Sequence, residues 1–161
     1  MDVVALGELL IDFTENGVSG QGNPLFEANP GGAPCNVLAM LSRLGHRTAF
    51  IGKVGNDFFG KQLEDAITEV GIDAAGLLKD DKVHTTLALV HTYPDGDRDF
   101  SFYRNPGADM MLTERRTAGG NNPWSKNLSF RNVIHDASGC PRSNEKNAIA
   151  VAKRSRCAHF L

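Results

Sequence analysis

Three short blocks of sequence set hydrogen-bonding side chains beside glycines or aromatics. Asp12 comes shortly after the apolar run Val3–Gly7, and "PGGAPCN" puts Gly31 and Gly32 directly before a helix-like segment whose first turn holds Asn36. "RDFSFYR" alternates, so Phe100, Phe102 and Arg104 share one face of a strand. A glycine lets a ligand approach main-chain amides where a Cβ would intrude. A helix that starts there directs its free N–H groups and positive dipole end at the same place. Asn36 offers a donor and an acceptor, and Asp12 lies at a strand's carboxyl end, where open α/β sheets bind ligands. Such groups suit a ligand rich in hydroxyls, each able to donate and accept. Taken singly, each has a simpler role. The glycines can form a tight turn, Asp12 or Asn36 can cap, and Arg104 can be a solvated charge on a half-buried hairpin.

The elements that must position these residues are legible up to about Glu114. Val3–Gly7 and "TAFIGKVG" (Thr48–Gly55) read as buried parallel strands. Between them, Cys35–Leu44 repeats apolar residues at helical spacing (Val37, Leu38, Leu41, Leu44), with Gly45 as the stop. Asn56 or Asp57 caps a second helix with Phe59, Leu63, Ile67 and Val70 inside and Gly71 at its end. "TTLALVHTY" and "RDFSFYR" flank the turn signal "PDGD" and predict a hairpin. The expected fold class is α/β, a three-layer α/β/α sheet with a small β appendage.

Composition narrows the class. The chain has 161 residues, 41% of them hydrophobic, and a formal net charge of −2. That suits one domain and marks neither a nucleic-acid binder nor a membrane-surface binder. No apolar run approaches the roughly 20 residues of a membrane span, and the N-terminus lacks a basic n-region. Three widely spaced cysteines (Cys35, Cys140, Cys157) predict reduced thiols and a cytoplasmic setting. His46, His84 and His91 are not spaced as metal ligands, and Asp95–Asp99 reads as a polar turn rather than a calcium loop.

In order and spacing, "GELLIDF", "PGGAPCNVLAMLSRLG", "FIGKVGNDFFG" and "FYRNPGADMML" resemble the ribokinase-like (PfkB) carbohydrate kinases, most closely the fructokinases. The resemblance covers residues 3–114. Leu38 departs from it, standing where the family has a small residue; on the inner helix face this predicts a packing adjustment. The resemblance implies a ribokinase-like fold whose β lid comprises about residues 8–20 and 84–105. It also implies phosphorylation of a sugar hydroxyl, D-fructose first, with 2-keto-3-deoxygluconate, ribose or a nucleoside as alternatives. The implied substrate-binding residues are Asp12, Gly31, Gly32, Asn36, Phe102 and Arg104. ATP and Mg²⁺ are the implied cofactors, a small-molecule sugar is the implied partner, and a homodimer through the lid is common in the family.

Phosphoryl transfer further needs a base, a cradle for phosphate charge and a nucleotide pocket. The family carries these in a "G-A-G-D"-like element with the catalytic aspartate and in an "N-x-x-E" element, and this sequence has neither. The expectation is that no catalytic, cofactor-binding or metal residue lies in this chain, and that it is the inactive N-terminal part of a longer kinase.

Residues 115–161 lack either period and cluster Gly, Asn, Ser and Pro, which by composition alone is loop. Codon degeneracy offers another reading. Shifted by one base, Ser129–Asp136 permits "HFGTLSMT", Arg115–Asn127 permits "EELPEEIIRGAK" and Arg154–Leu161 permits "EAGAHISF", each family-like. Asn147–Lys153 ("NAIAVAK") is family-like as it stands. The tail is therefore expected to be mostly an out-of-frame translation of a fructokinase gene.

Overall fold

A computed structural model describes residues 1–93 and 95–113; the readings of the tail lie outside them. Strands β1 (Val3–Leu6), β4 (Thr48–Gly55) and β5 (Ile72–Asp80) form a parallel sheet in the order β1-β4-β5. Every residue of β4 is buried, as its near-continuous apolar run requires of a central parallel strand. Its one charge, Lys53, forms an ion pair with Asp80 at the end of β5.

Helix α1 (Ala33–Arg43) and helix α2 (Phe58–Glu69) pack on one face of this sheet. Leu38 and Cys35 from α1, and Leu63 and Ile67 from α2, meet Ala5, Phe50 and Val54 in one core cluster. Burying a side chain such as Leu38 or Phe50 contributes about 1.5–3 kcal/mol. The opposite face, around Val4, Ala49 and Ile51, is met among the described residues by Leu112, Met1 and Leu78.

The predicted apolar set on α1 splits into two stripes. Leu38 is inside, with Pro34 and Cys35, whereas Val37, Met40 and Leu44 are exposed. Residue 37 lies about 100° round the helix from residue 38, so one helix cannot bury both rows on one wall. Gly45, at φ 86°, ends α1 as expected, and Gly71, at φ 83°, does the same for α2.

Asp57 caps α2, accepting from Gly60 N at 2.8 Å. It also accepts from Thr85 N at 2.9 Å and from Thr85 Oγ1 at 2.7 Å. The stretch "VGNDFFG" thus serves to build the β4–α2 corner. A side chain on Gly60 would strike the Gly55 carbonyl, and one on Gly55 would meet Thr85 N at 2.5 Å.

The second sheet has the order β3-β2-β6-β7, from β2 (Leu10–Val18), β3 (Pro24–Gly31), β6 (Leu87–Thr92) and β7 (Arg98–Tyr103). The predicted hairpin is β6–β7, closed by Tyr93 N donating to Asp97 O at 2.8 Å. β3 and β5 were not foreseen. β3 carries two prolines and is mostly exposed, features that ordinarily argue against a strand. β5 carries Ala, Gly and Asp, and its Gly76 admits the Phe50 carbonyl at a close approach that a Cβ would prevent. The appendage is accordingly a four-stranded sheet, larger than the lid of residues 8–20 and 84–105.

Candidate functional site

Strand register decides which side chains meet. Asp12 pairs with Asn29 on β3 and with Ala88 on β6, and Ala88 pairs with Phe102 on β7. Cross-strand partners share a face, so Asp12, Asn29 and Phe102 form one row across the lid sheet. One step toward the tip, Thr14, Val90 and Phe100 form the next row. Leu10 and Gly31 pair one step toward the root. A hollow of about 270 Å³ opens on this face, lined by Asp12, Thr14, Asn29, Val90, Arg98 and Phe100 among others.

Asp12 lies within β2, not at the carboxyl end of the first strand as its position in the sequence suggested. β1 ends at Leu6, and the chain starts a new strand at Leu10 because the lid begins there. The carboxylate is half-buried, and burial raises its pKa above the ordinary value of 3.8. Among the described residues no side chain or amide donates to it, so it caps nothing. Its nearest chain neighbour on the root side is Gly31: a Cβ there would collide with Asp12 Oδ2 and stand 3.1 Å from Leu10 Cδ1.

Gly31 and Gly32 have different reasons. Gly31 ends β3 and leaves room for the Asp12 carboxylate. Gly32 holds φ 122°, a region L side chains rarely adopt, and a Cβ there would meet the Glu8 carbonyl at 2.5 Å. It is the N-cap of α1 and offers no side chain to the helix's free N–H groups. The expectation that both glycines clear space for a ligand is therefore corrected at Gly32, where main chain fills that space.

Asn36 sits exposed in the first turn of α1, its N–H donating to Gly32 O at 3.1 Å. Its side chain makes no cap, and it follows the segment that carries Asn29 and Gly31 past Asp12. Phe102 is exposed and stacks on Phe100, ring centroids 6.1 Å apart. Arg104 extends the same alternation, and its half-exposed guanidinium is held on one side by the buried carboxylate of Asp109.

Asn29 and Thr14 were missed by sequence reasoning. The Asn29 amide donates to Thr14 Oγ1 at 3.5 Å, joining the first two rows. Only the β2–β3 register brings Asn29 beside Asp12, and β3 itself was not predicted. Cys35 is buried, and burial with the nearby Glu8 charge pushes its thiol up to about 12, so it is no nucleophile. His84 faces Asp57 and His91 faces Glu15, both at the surface.

Among the described residues no three His, Cys, Asp or Glu side chains come together as a metal site. No helix of the described residues is long and apolar enough to cross a membrane.

The model of the pfkB family carbohydrate kinases matches residues 1–160. Fructokinase-1 of Zea mays is 50% identical over 113 residues, which are 69% of this chain and 35% of that protein. Probable fructokinase-7 of Arabidopsis thaliana is 49% identical over 153 residues, 94% of this chain and 44% of that protein. The crystal structure of fructokinase with bound ATP from Xylella fastidiosa superposes with a TM-score of 0.65 at 36% identity, over 71% of this chain and 36% of that one. The chain thus spans less than half the length of the curated relatives it matches. The family match runs over nearly the whole chain and the fold of the described residues agrees with it, so this chain belongs to the pfkB family of carbohydrate kinases.

Proposed function

We propose that this chain forms the sugar-binding part of an ATP-dependent kinase that phosphorylates a hydroxyl of D-fructose. The observation that carries the reading is the row Asp12–Asn29 beside Gly31, a half-buried carboxylate with no donor among the described residues on a hollow polar face. A carboxylate so placed accepts from sugar hydroxyls, while the Asn29 and Asn36 amides both donate and accept. Phe102 and Phe100 offer an apolar surface to the C–H face of the ring. Fructose is favoured over 2-keto-3-deoxygluconate, ribose or a nucleoside because the fructokinases share about half their residues with this chain where they align. ATP as donor rests on the family and on the ATP-bound structural relative. A thermal-shift panel of these four ligand classes tests the choice: the largest rise in Tm is expected with fructose. A larger rise with another class would replace the substrate, and no rise with any would overturn the sugar site.

We further propose that this chain by itself turns over no ATP, a reading supported by the absence from its sequence of a "G-A-G-D"-like and an "N-x-x-E" element. A coupled ADP-release assay with fructose checks this, and sugar-dependent turnover by the 161-residue chain would refute it. We also infer that residues from about Arg115 are mostly read out of frame, a reading supported by the three shifted family-like strings. The family match continues through residue 160, and under this reading in-frame pieces such as Asn147–Lys153 account for part of it. The coding DNA across codons 110–161 decides: family-like protein in the neighbouring frame is expected, and its absence ends the idea. Self-association through the lid, where Phe100 and Phe102 are exposed, is proposed as well. Sedimentation at rising concentration checks it, and a strict monomer would contradict it.

A further inference from the structure

Arg104 follows β7 at the root of the lid sheet, and its half-exposed side chain is anchored on a buried carboxylate. Its Nη2 donates to Asp109 Oδ2. The Asp109 side chain is 3% exposed, while that of Arg104 is 37% exposed. The other oxygen of Asp109 accepts from Thr86 Oγ1 at 2.5 Å. Thr86 is itself buried, and its carbonyl accepts from Ile11 N at 3.1 Å, one residue before Asp12. Gly107 makes the cluster possible, since a Cβ there would strike Thr86 Oγ1 and stand 2.6 Å from Asp109 Oδ1 and 2.9 Å from Arg104 Cγ. A buried carboxylate with one oxygen on a hydroxyl and the other on a guanidinium has little freedom to turn.

We propose that Asp109, oriented by Thr86, is a positioning residue that fixes the Arg104 guanidinium at the root of the lid face, so that its outward N–H groups meet a sugar held by Asp12. The inference rests on the sugar-binding reading above. One edge of the guanidinium is spent on Asp109, and the fork geometry leaves the opposite N–H donors for a ligand oxygen. The bond from Ile11 N–H to the Thr86 carbonyl ties the segment beside this donor to the strand that carries the Asp12 acceptor. A ligand spanning the two would have an acceptor at one end and a donor at the other, the pattern of adjacent hydroxyls on a polyol.

The test uses the 161-residue chain, with D-fructose as probe, and the variants Asp109→Asn, Arg104→Lys and their double. Side-chain N–H resonances of Arg104 read the latch without any sugar. They are expected to exchange slowly in the wild type and to broaden or vanish in Asp109→Asn; unchanged signals would overturn the latch. By calorimetric titration, Asp109→Asn and Arg104→Lys should each weaken fructose binding about tenfold, a typical loss for a charge-assisted contact. The double variant should be no weaker than Arg104→Lys alone, because both act through one guanidinium. Multiplicative losses, or full affinity in Asp109→Asn, would refute the positioning role. Should Asp109→Asn fail to fold, Thr86→Val keeps the charge, removes the orienting hydroxyl and is expected to weaken binding in the same direction, with unchanged affinity refuting the role. A wild-type chain that binds no fructose while Arg104 still depends on Asp109 would refute the sugar reading and leave the latch standing.

Discussion

The Asp12 carboxylate occupies the space that a side chain at Gly31 would need: a Cβ on Gly31 would stand 2.8 Å from Asp12 Cγ. Acid and glycine are partners across the β2–β3 hairpin, one rung apart. Gly31→Ala should push the carboxylate aside. The expected cost is about 1–3 kcal/mol of stability, typical of overpacking, together with loss of fructose affinity. Urea denaturation and a fructose titration of the variant check both, and unchanged affinity would separate Gly31 from the site.

Asp12 should show the opposite balance between stability and binding. Burial raises its folded-state pKa, so the folded chain favours the protonated form. The associated stability is present below the ordinary carboxylate value and is lost as pH rises through the folded pKa. At neutral pH, Asp12→Asn is therefore expected to raise Tm, and to remove the part of the pH dependence that begins near 3.8. Thermal melts of both chains from pH 3.5 to 7 measure it. A variant less stable at pH 7 would mean that the carboxylate has an internal donor after all.

Much of this was legible in the sequence, and the reasons are particular. β4 and α2 carry strong local signals, an eight-residue buried run and an Asp57 cap with Leu63 and Ile67 at helical spacing. Asp12 lies beside Gly31 and in one cross-strand row with Phe102, and all three could be singled out in the sequence because alternation and glycine placement are local properties. Asn29 and Thr14 were not named, because their places depend on the register of two strands and on a proline-bearing segment that local propensity discourages. Asp109 was invisible for a related reason: its burial depends on Gly107 giving way and on Thr86 arriving from another strand.

Asp57 holds the β4–α2 corner. Burial pushes its pKa up, but hydrogen bonds from Thr85 and Gly60 outweigh that and leave it lowered. Its stabilisation is present above the ordinary carboxylate value and fades as pH falls through the lowered one. Asp57→Ala removes a cap and strands the Thr85 amide, an expected loss of about 2–3 kcal/mol at pH 7. The loss should shrink toward acid pH in denaturation curves. A constant difference between pH 2.5 and 7 would contradict the assignment.

Lys53 and Asp80 should govern acid stability further. A hydrogen bond from Lys53 is the main cause that brings Asp80 down to about 2. The stabilisation is present above 3.8 and lost as pH falls through about 2. Lys53→Met should flatten that acid limb, which circular dichroism between pH 1.5 and 5 would record. An unchanged limb would mean the pair is not formed.

The lid face around Asp12 is proposed to bind a sugar. Isothermal titration of D-fructose into the wild-type chain and into Asp12→Ala, both shown folded, tests it most directly. Saturable one-to-one binding by the wild type and at least a tenfold weaker response from the variant are expected. Equal affinity in both chains, or no heat from a folded wild type, would contradict the claim.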